Sequence, residues 1–224
     1  KDRVNMAAPS PDGARILCAL ADGTARLLSV ATGDLQGTLH GHSDWVISAA
    51  FSHDGALALT ASRDRSAKVF DAWSCACKQT LGGHYGWVWS AVFSPDHCSV
   101  LTGSADGTAR LFSIETGKCV RTFQRHGGPV RSVALSPDGG RVLTACDDCT
   151  AKVFSASSGR LEHTLTGHIG PLWSAVFSSD GSRALTASSD GTARLFDVET
   201  GECEHMYEGH ADMVFTAAFS PAPG

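Results

Sequence analysis

The sequence lacks several features that would assign its class directly. No uninterrupted apolar run reaches the length of a transmembrane helix, and the first residues, KDRVNMAAPS, do not contain the apolar stretch of a signal peptide. Basic residues are also scarce: 18 Lys and Arg stand against 23 Asp and Glu, giving a net charge of -5, which argues against a protein that binds the phosphate backbone of nucleic acids. These absences disfavour membrane proteins, secreted precursors and nucleic-acid binders.

Nucleotide-binding motifs are missing as well. Neither the glycine-rich G-x-x-x-x-G-K-[ST] pattern nor G-x-G-x-x-G occurs, so nucleotide chemistry has no support. No window shows an apolar period of 3.6 residues over a helical length. With 42% hydrophobic and 18% charged residues, the chain is nevertheless expected to fold around a core.

A period of 42 residues runs through the chain without insertions. A Gly-His or Arg-His pair marks it at residues 41–42, 83–84, 125–126, 167–168 and 209–210. A turn of the Ser-Pro-Asp-Gly type keeps the same step, and so does a second Asp, at residues 22, 64, 106, 148 and 190. Three landmarks that share one period indicate internal repeats of a single structural unit.

Within one repeat the local signals are those of short strands. In the repeat that begins at Gly41 we expect strands over residues 45–52, 57–62, 67–70 and 78–81, each bounded by Gly, Asp, Pro or Ser. Asp-Gly pairs elsewhere in the chain predict a hairpin between the second and third strands. The sequence therefore predicts an all-β protein made of four-stranded antiparallel sheets. Because each sheet has apolar residues on both faces, neighbouring units must cover one another, as radial stacking allows.

With these landmarks the sequence resembles the WD-repeat β-propellers, and the resemblance covers the whole chain. It implies a single propeller domain, residues 1–224, of four-stranded antiparallel blades: five blades and one extra strand. The repeats are then 1–40, which lacks its Gly-His pair, 41–82, 83–124, 125–166, 167–208 and a partial repeat 209–224. Because members of this family most often have seven blades, we expect a segment of a larger propeller. The alternative is a five-bladed ring in which residues 211–219 displace residues 3–10.

The resemblance also implies that a His, a Thr, an Asp and a Trp form a hydrogen-bonded tetrad in each blade. The matching residues are His42, Thr60 and Asp64; His84, Thr102 and Asp106; His126, Thr144 and Asp148; and His168, Thr186 and Asp190. In the first repeat Cys18 takes the Thr position. The Trp position is occupied by Leu28, Phe70, Phe112, Phe154 and Phe196, which have no indole N–H. We therefore expect a His–Thr–Asp triad that lacks one hydrogen bond worth about 1 kcal/mol.

Two kinds of catalytic chemistry have to be weighed against this scaffold. The triads resemble a nucleophile–base–carboxylate set, but they occur in four successive repeats, whereas an enzyme needs one. Cys146 and Cys149 form a C-x-x-C motif that the tetrad places near His126, but no second C-x-x-C completes a zinc site. We predict no catalytic residues, no metal and no cofactor. A metal-dependent or thiol enzyme that uses these residues is the least favoured alternative.

The residues after each Gly-His pair, together with the hairpin after the second strand, form one rim of the predicted disc. Members of the resembled family commonly bind partners there. The predicted partner-binding residues of this rim are Asp44, Trp45, Arg63, Arg65, Tyr85, Trp87, Trp89, Arg131, Asp147 and Trp173. Trp, Tyr and Arg dominate the energetics of protein interfaces, although the same aromatic residues can also serve a core.

Our leading hypothesis is a non-catalytic scaffold that presents this rim to partner proteins or peptide segments. We expect no nucleic acid, no membrane and no small-molecule substrate as a partner. The alternative is a targeting or regulatory module of a larger enzyme or signalling protein whose catalytic domain lies outside these residues. Of the eight cysteines, Cys77, Cys119 and Cys203 share one repeat position, so we interpret all eight as reduced thiols in a cytoplasmic or nuclear protein.

Overall fold

Five four-stranded antiparallel sheets form the structure, a computed structural model that describes residues 3–220, and strand order in each sheet follows chain order. The first sheet contains β1 to β4: Val4–Pro9, Arg15–Leu20, Ala25–Ser29 and Leu35–Leu39. The second contains β5 to β8: Val46–Phe51, Leu57–Ser62, Ala67–Asp71 and Cys77–Leu81. The third contains β9 to β12: Val88–Phe93, Ser99–Ser104, Ala109–Ser113 and Cys119–Phe123. The fourth contains β13 to β16: Val130–Leu135, Arg141–Cys146, Ala151–Ser155 and Leu161–Leu165. The fifth contains β17 to β20: Leu172–Phe177, Arg183–Ser188, Ala193–Asp197 and Cys203–Tyr207.

These strands confirm the predicted all-β fold class. No helix occurs between residues 3 and 220, and therefore none there is long and apolar enough to cross a membrane. In the second sheet the predicted and observed strand bounds agree within one residue, because Gly, Asp and Ser turns bound each strand.

The turn between the first two strands of each sheet is closed by its own side chains. In the second sheet the Gly55 N–H donates to the Ser52 carbonyl at 2.9 Å. The Ser52 hydroxyl donates to Asp54 at 2.6 Å and accepts from the Leu57 N–H at 2.9 Å. Gly55 has a φ of 69°, in the left-handed region that favours glycine. The Ser-x-Asp-Gly sequence thus determines where β5 ends and β6 begins.

A β-bulge at the start of the first strand leaves one residue of that strand without a partner on the second strand. In the second sheet Val46 pairs with Ser62 and Ser48 with Ala61, so Ile47 has no partner of its own. The fourth sheet has the same irregularity, where Val130 pairs with Cys146 and Ser132 with Ala145. The side chain between these two pairs therefore occupies an equivalent place in both repeats.

The contacts divide the chain into two compact units. The first unit is Lys1–Asp106 with Arg110–Val120, and the second is Gly107–Ala109 with Arg121–Gly224. In the first unit one apolar cluster joins the first two sheets through Leu17, Leu27, Val46 and Phe70. Another joins the second sheet to β9 and β10 through buried residues such as Val69, Val88 and Val100.

The core of the second unit has the same design. One apolar cluster joins the fourth and fifth sheets and includes Leu143, Val153, Leu172 and Phe196, each at most 1% exposed. In each unit a sheet is therefore covered by the next one along the chain, as the apolar residues on both faces of the sheets require.

The last partial repeat differs from the prediction. Residues 209–220 form no strand; the Val214 N–H donates to the Ser188 carbonyl at 3.0 Å, and residues 221–224 lie outside the described residues. In the complete repeats the first strand is held by the second strand of its own sheet, and no such strand follows residue 209 within the described chain. The alternative in which residues 211–219 displace residues 3–10 is also wrong, because β1 pairs with β2, with Ala8 opposite Leu17.

Candidate functional site

In three repeats the predicted His, Thr and Asp lie within hydrogen-bonding distance of one another. The Nδ1 atom of His42 lies 2.7 Å from the Asp64 carboxylate, and its Nε2 atom lies 2.7 Å from the Thr60 hydroxyl. The corresponding distances are all 2.8 Å in two further sets. One set is His84, Asp106 and Thr102, and the other is His168, Asp190 and Thr186. In each set the His side chain connects the loop before the first strand to the second strand and to the hairpin that follows it.

The protonation of these sets follows from their partners. A carboxylate only accepts hydrogen bonds, so Nδ1–H of each imidazole donates to Asp, and Nε2 accepts from the Thr hydroxyl. Burial lowers the pKa of His84 and of His168, which keeps both imidazoles neutral at pH 7. Burial alone would raise the pKa of Asp64, but hydrogen bonds from His42 and Ser66 hold it well below its usual range. The Asp64 carboxylate is therefore ionised at pH 7.

A Thr–His–Asp chain of this kind could in principle activate a nucleophile. The Thr hydroxyls are inaccessible, however: Thr60 is 1% exposed, and Thr102 and Thr186 are fully buried. These three hydroxyls are therefore closed to solvent and lie inside the hydrogen-bonded sets.

The phenylalanines at the fourth position of the tetrad are core residues. Phe70, Phe112, Phe154 and Phe196 are at most 1% exposed, whereas Leu28 is half-buried. They keep the apolar volume of an aromatic ring but cannot donate a hydrogen bond to the Thr hydroxyl.

The set in the repeat 125–166 does not form as predicted. The His126 Nε2 atom lies 2.8 Å from the Thr144 hydroxyl, but its Nδ1–H donates to the Gly107 carbonyl at 3.1 Å and not to Asp148. The Asp148 carboxylate instead accepts from the Lys152 ammonium at 2.9 Å. The cause is competition: Lys152 is 6% exposed, and a buried ammonium needs a charged partner. Burial and the positive charge of Lys152 lower the pKa of His126 to about 4.

The C-x-x-C motif follows from two substitutions in the repeat pattern: Cys146 stands where three other repeats have Ser, and Cys149 where they have Gly or Arg. The Cys146 thiol donates to the Gly128 carbonyl at 3.2 Å, as the Ser62 hydroxyl donates to the Asp44 carbonyl at 3.0 Å. Burial raises the pKa of Cys146 to about 11, so the group is a thiol and not the thiolate that a metal ion requires. Among residues 3–220 no cluster of three or more His, Cys, Asp or Glu side chains has a geometry suited to a metal ion. All eight cysteines are free thiols.

The rim of the first unit brings Trp45, Arg63 and Trp87 into one stack. The Arg63 Cζ atom lies 4.0 Å from the ring centroid of Trp45 and 4.3 Å from that of Trp87, so the guanidinium is held between two indoles. Trp45 precedes β5, Arg63 follows β6 in the same repeat, and Trp87 comes from the next repeat. Cation–π contacts of this kind stabilise by about 0.5–1 kcal/mol each at exposed sites.

Arg63 and Trp87 of this stack line an open cavity of about 510 Å³, and Trp45 adjoins the cavity through its contact with Arg63. Its lining residues are Arg63, Arg65, Tyr85, Gly86, Trp87 and Ala105. Tyr85 is 85% exposed and Trp87 is 41% exposed, although both side chains are large and aromatic. Such exposure is typical of an interaction surface and not of a core. Four of the predicted rim residues of this repeat pair therefore line one surface: Arg63, Arg65, Tyr85 and Trp87.

Two further rim residues of the first unit lie beside this surface. Trp89 is half-buried, and its ring packs edge-on against Trp87, with centroids 5.4 Å apart. Asp44 is exposed, and its carboxylate accepts from the Trp45 N–H at 2.7 Å. Trp89 thus supports the indole of Trp87 from behind, and Asp44 orients the loop that carries Trp45.

In the second unit the predicted rim residues pair with each other. The Arg131 guanidinium donates to both carboxylate oxygens of Asp147, at 2.8 and 2.7 Å, and lies 4.9 Å from the Trp173 ring centroid. The Trp173 indole N–H donates to the Ser189 hydroxyl at 2.6 Å, and its ring packs against Phe215. The donors of these rim residues are thus used within the unit.

Two buried arrangements were not predicted from the sequence. One is the ion pair of Lys152 with Asp148, at 2.9 Å, in which both side chains are largely buried. The other is Arg15, which is 5% exposed and lies 4.1 Å from the Trp73 ring centroid. Its guanidinium donates to the carbonyls of Ala72 and Gly55 at 2.7 and 3.1 Å. A basic residue at the start of a strand carried no signal for this contact.

Comparison with known proteins gives one finding. The family model described as WD domain, G-beta repeat (WD40) matches four stretches of the chain, residues 33–71, 75–113, 117–155 and 159–197. Each stretch begins just before the fourth strand of one sheet and ends at the third strand of the next. No curated protein matches the chain.

Proposed function

The chain belongs to the WD40-repeat family, whose domains are generally non-catalytic scaffolds for protein interactions, and we propose that this protein binds a partner protein or peptide segment on the rim of its first unit. The observation that supports this most is the exposed cavity lined by Arg63, Arg65, Tyr85 and Trp87. Trp, Tyr and Arg are the residue types that most often dominate binding energy at protein interfaces.

Rigidity favours binding at this place. The cavity is built at the ends of β6, β9 and β10, and Arg63 is already held between two indoles in the free protein. A partner would therefore order few side chains on this surface, which lowers the entropic cost of association.

The proposal extends to the kinds of partner that we do not expect. We propose that the protein is not an enzyme, that it uses no cofactor or metal, and that nucleic acids, membranes and small-molecule substrates are not its partners. The net charge of -5 supports the exclusion of nucleic acids, since it opposes binding to their phosphates. We further propose a cytoplasmic or nuclear location, which the eight free thiols support.

The experiment replaces the aromatic side chains of the cavity in the full chain. We expect the combined Trp45→Ala, Tyr85→Ala and Trp87→Ala variant to lose partner recovery from a lysate, while circular dichroism shows an unchanged fold. The matched control is Trp73→Ala, which removes a 74% exposed indole from the loop between β7 and β8. Unchanged recovery with the triple variant would remove this cavity as the binding surface.

A further inference from the structure

The Arg63 guanidinium has aromatic neighbours but no acceptor. Its Nε atom is buried, and no described residue accepts a hydrogen bond from this side chain. The two indoles cover the faces of the guanidinium, at 4.0 and 4.3 Å, and faces cannot accept its in-plane N–H groups. A buried donor without an acceptor costs free energy in the isolated protein, and a ligand that supplies the acceptor recovers that cost.

Arg65 adds a second cation to the same cavity. Its side chain is exposed and forms no hydrogen bond or ion pair with any residue between 3 and 220. It has a φ of 71° at a hairpin position where the repeats around it have glycine, such as Gly107 and Gly191. A side chain in the left-handed region is strained, and Cys149 bears the same cost at the equivalent position, with a φ of 66°.

The equivalent rim of the second unit contains the missing acceptor. There Arg131 and Asp147 occupy the bulge and hairpin positions that Ile47 and Arg63 occupy in the first unit. Asp147 accepts two parallel hydrogen bonds from Arg131. Ile47 cannot accept any. The protein therefore shows which group satisfies a guanidinium at this rim, namely a carboxylate, and leaves that group out beside Arg63.

We propose that the cavity binds the carboxylate of an Asp or Glu side chain in an acidic segment of the partner protein, with Arg63 as its bidentate donor. This inference rests on the function proposed above and names the chemistry of the partner. A guanidinium matches a carboxylate in a planar, two-hydrogen-bond geometry, and the indoles on either side strengthen the contact by excluding water from its faces. Arg65 provides long-range attraction, and Tyr85 and Trp87 contact the apolar residues that flank the acidic one.

The charge and size of the cavity favour a carboxylate over a phosphate group. The lining provides two guanidinium groups, no lysine and no helix N-terminus. Of these two groups Arg63 is held in place by the indoles, and its planar edge matches the two oxygens of a carboxylate, as Arg131 matches Asp147 in the second unit; a phosphorylated side chain has three acceptor oxygens to satisfy. The volume of about 510 Å³ holds a short peptide segment and not only one side chain.

The experiment selects random linear peptides displayed on phage against the full chain and measures the affinities of the selected peptides by fluorescence anisotropy. We expect the selected sequences to share an Asp or Glu next to apolar residues. Replacing that residue with Asn or Gln should weaken binding at least about tenfold, since a hydrogen bond between charged groups is lost. Binding should also weaken as salt rises.

Variants of the protein separate the carboxylate contact from general charge and from folding. Arg63→Lys keeps the charge and the aliphatic stem but cannot donate two parallel hydrogen bonds, so we expect about a tenfold loss of affinity with an unchanged circular dichroism spectrum. The matched control Arg160→Gln removes one exposed positive charge from the loop before β16 and should leave the affinity unchanged.

Three results would overturn the inference. Binding only to phosphoserine versions of the peptides would assign the cavity to phosphate. Affinity that depends on Trp87 but not on Arg63→Lys or on Asp→Asn in the peptide would refute the carboxylate contact while leaving the proposed interaction surface intact. Failure to select any peptide that contains Asp or Glu would refute it as well, and the triple aromatic variant with the partner would then decide the proposed function separately.

Discussion

The repeats 41–82 and 125–166 have the same strands, turns and bulge but connect their charged side chains differently. In the repeat 41–82 Asp64 accepts from His42, and Arg63 is stacked between indoles without an acceptor. Its basic residue on the third strand, Lys68, donates to the Thr80 hydroxyl at 2.9 Å and leaves Asp64 to the histidine.

In the repeat 125–166 both hairpin carboxylates are paired with cations of the same repeat. Asp147 accepts from Arg131 and Asp148 from Lys152, at 2.7 and 2.9 Å. His126 consequently donates to a main-chain carbonyl. One backbone can thus either satisfy its charges within the repeat or leave a cation without an acceptor, and single residues at repeat positions decide which of the two occurs.

The largest effect that we expect from this comparison is a pH dependence that originates in the repeat 125–166. The pKa of His126 is about 4 in the folded protein, below the ordinary value of 6.5. Between these values the unfolded chain binds a proton that the folded protein does not, so stability is complete above pH 6.5 and falls as the pH drops toward 4. The loss amounts to about 3 kcal/mol.

Urea unfolding at pH 7.5, 6.0 and 4.5 measures this loss. In a His126→Asn variant the decrease between pH 6.5 and 4.5 should be smaller by most of that amount, and Arg160→Gln should behave like the original protein. An unchanged pH slope in His126→Asn would mean that His126 is not held neutral by its neighbours.

The second effect tests whether a carboxylate added to the rim of the first unit pairs with Arg63. Ile47→Glu places a carboxylate at the bulge position, whose equivalent in the second unit pairs with the hairpin. We expect this carboxylate to accept hydrogen bonds from the Arg63 guanidinium. Binding of the selected acidic peptides should then weaken about tenfold or more, because the donor is already satisfied. Fluorescence anisotropy measures the affinity. The uncharged control Ile47→Gln should retain most of the binding, and equal losses in both variants would contradict this explanation.

The third effect concerns the ion pair of Arg131 with Asp147, which is formed within the second unit. Arg131 and Asp147 are about one fifth exposed, so we expect a coupling free energy of about 1 kcal/mol between them, near the upper end for exposed pairs. A double-mutant cycle of Arg131→Gln and Asp147→Asn, measured by urea unfolding, gives this value. The pair of Arg183 with Glu204 also has two hydrogen bonds but is more exposed, so it should couple more weakly; the reverse order would show that burial does not set the coupling.

The smallest effect separates strain from binding. Arg65 and Arg125 both have positive φ, at 71° and 84°, and stand where other repeats have glycine. Arg65→Gly and Arg125→Gly should each raise the free energy of unfolding by about 0.5 kcal/mol, since glycine adopts this region without steric cost. Only Arg65→Gly should also weaken binding of the acidic peptides. Equal affinities for the two variants would remove Arg65 from the cavity's function.

Much of this structure was predictable from local sequence. The turn at Ser52–Gly55 and the strand Leu57–Ser62 follow from residues that are close along the chain, and the structure has them where the pattern predicts. The distances within the set of His42, Thr60 and Asp64 also agree with what the resemblance implied. In contrast, the pairing of Asp148 was predicted wrongly, because a lysine four residues away competes for the same carboxylate.

The rim residues were likewise predicted from the sequence only in part. The aromatic and basic composition of the positions around Trp45, Arg63 and Trp87 could be read from the repeat alignment within the chain. That Arg63 lies between the two indoles without an acceptor could not, since one indole comes from its own repeat and the other from the next. Such a contact depends on how two sheets pack.

By itself the sequence determined the 42-residue unit, its four strands and its turns, because these depend on hydrogen bonds and backbone preferences within a few residues. Only the tertiary structure decided which charged groups satisfy each other, closing the pair of Arg131 and Asp147 and leaving Arg63 without a carboxylate. The physical reason is that the free energy of a charge contact changes steeply with distance, burial and competing partners, and all three are set by the packing of side chains from different strands.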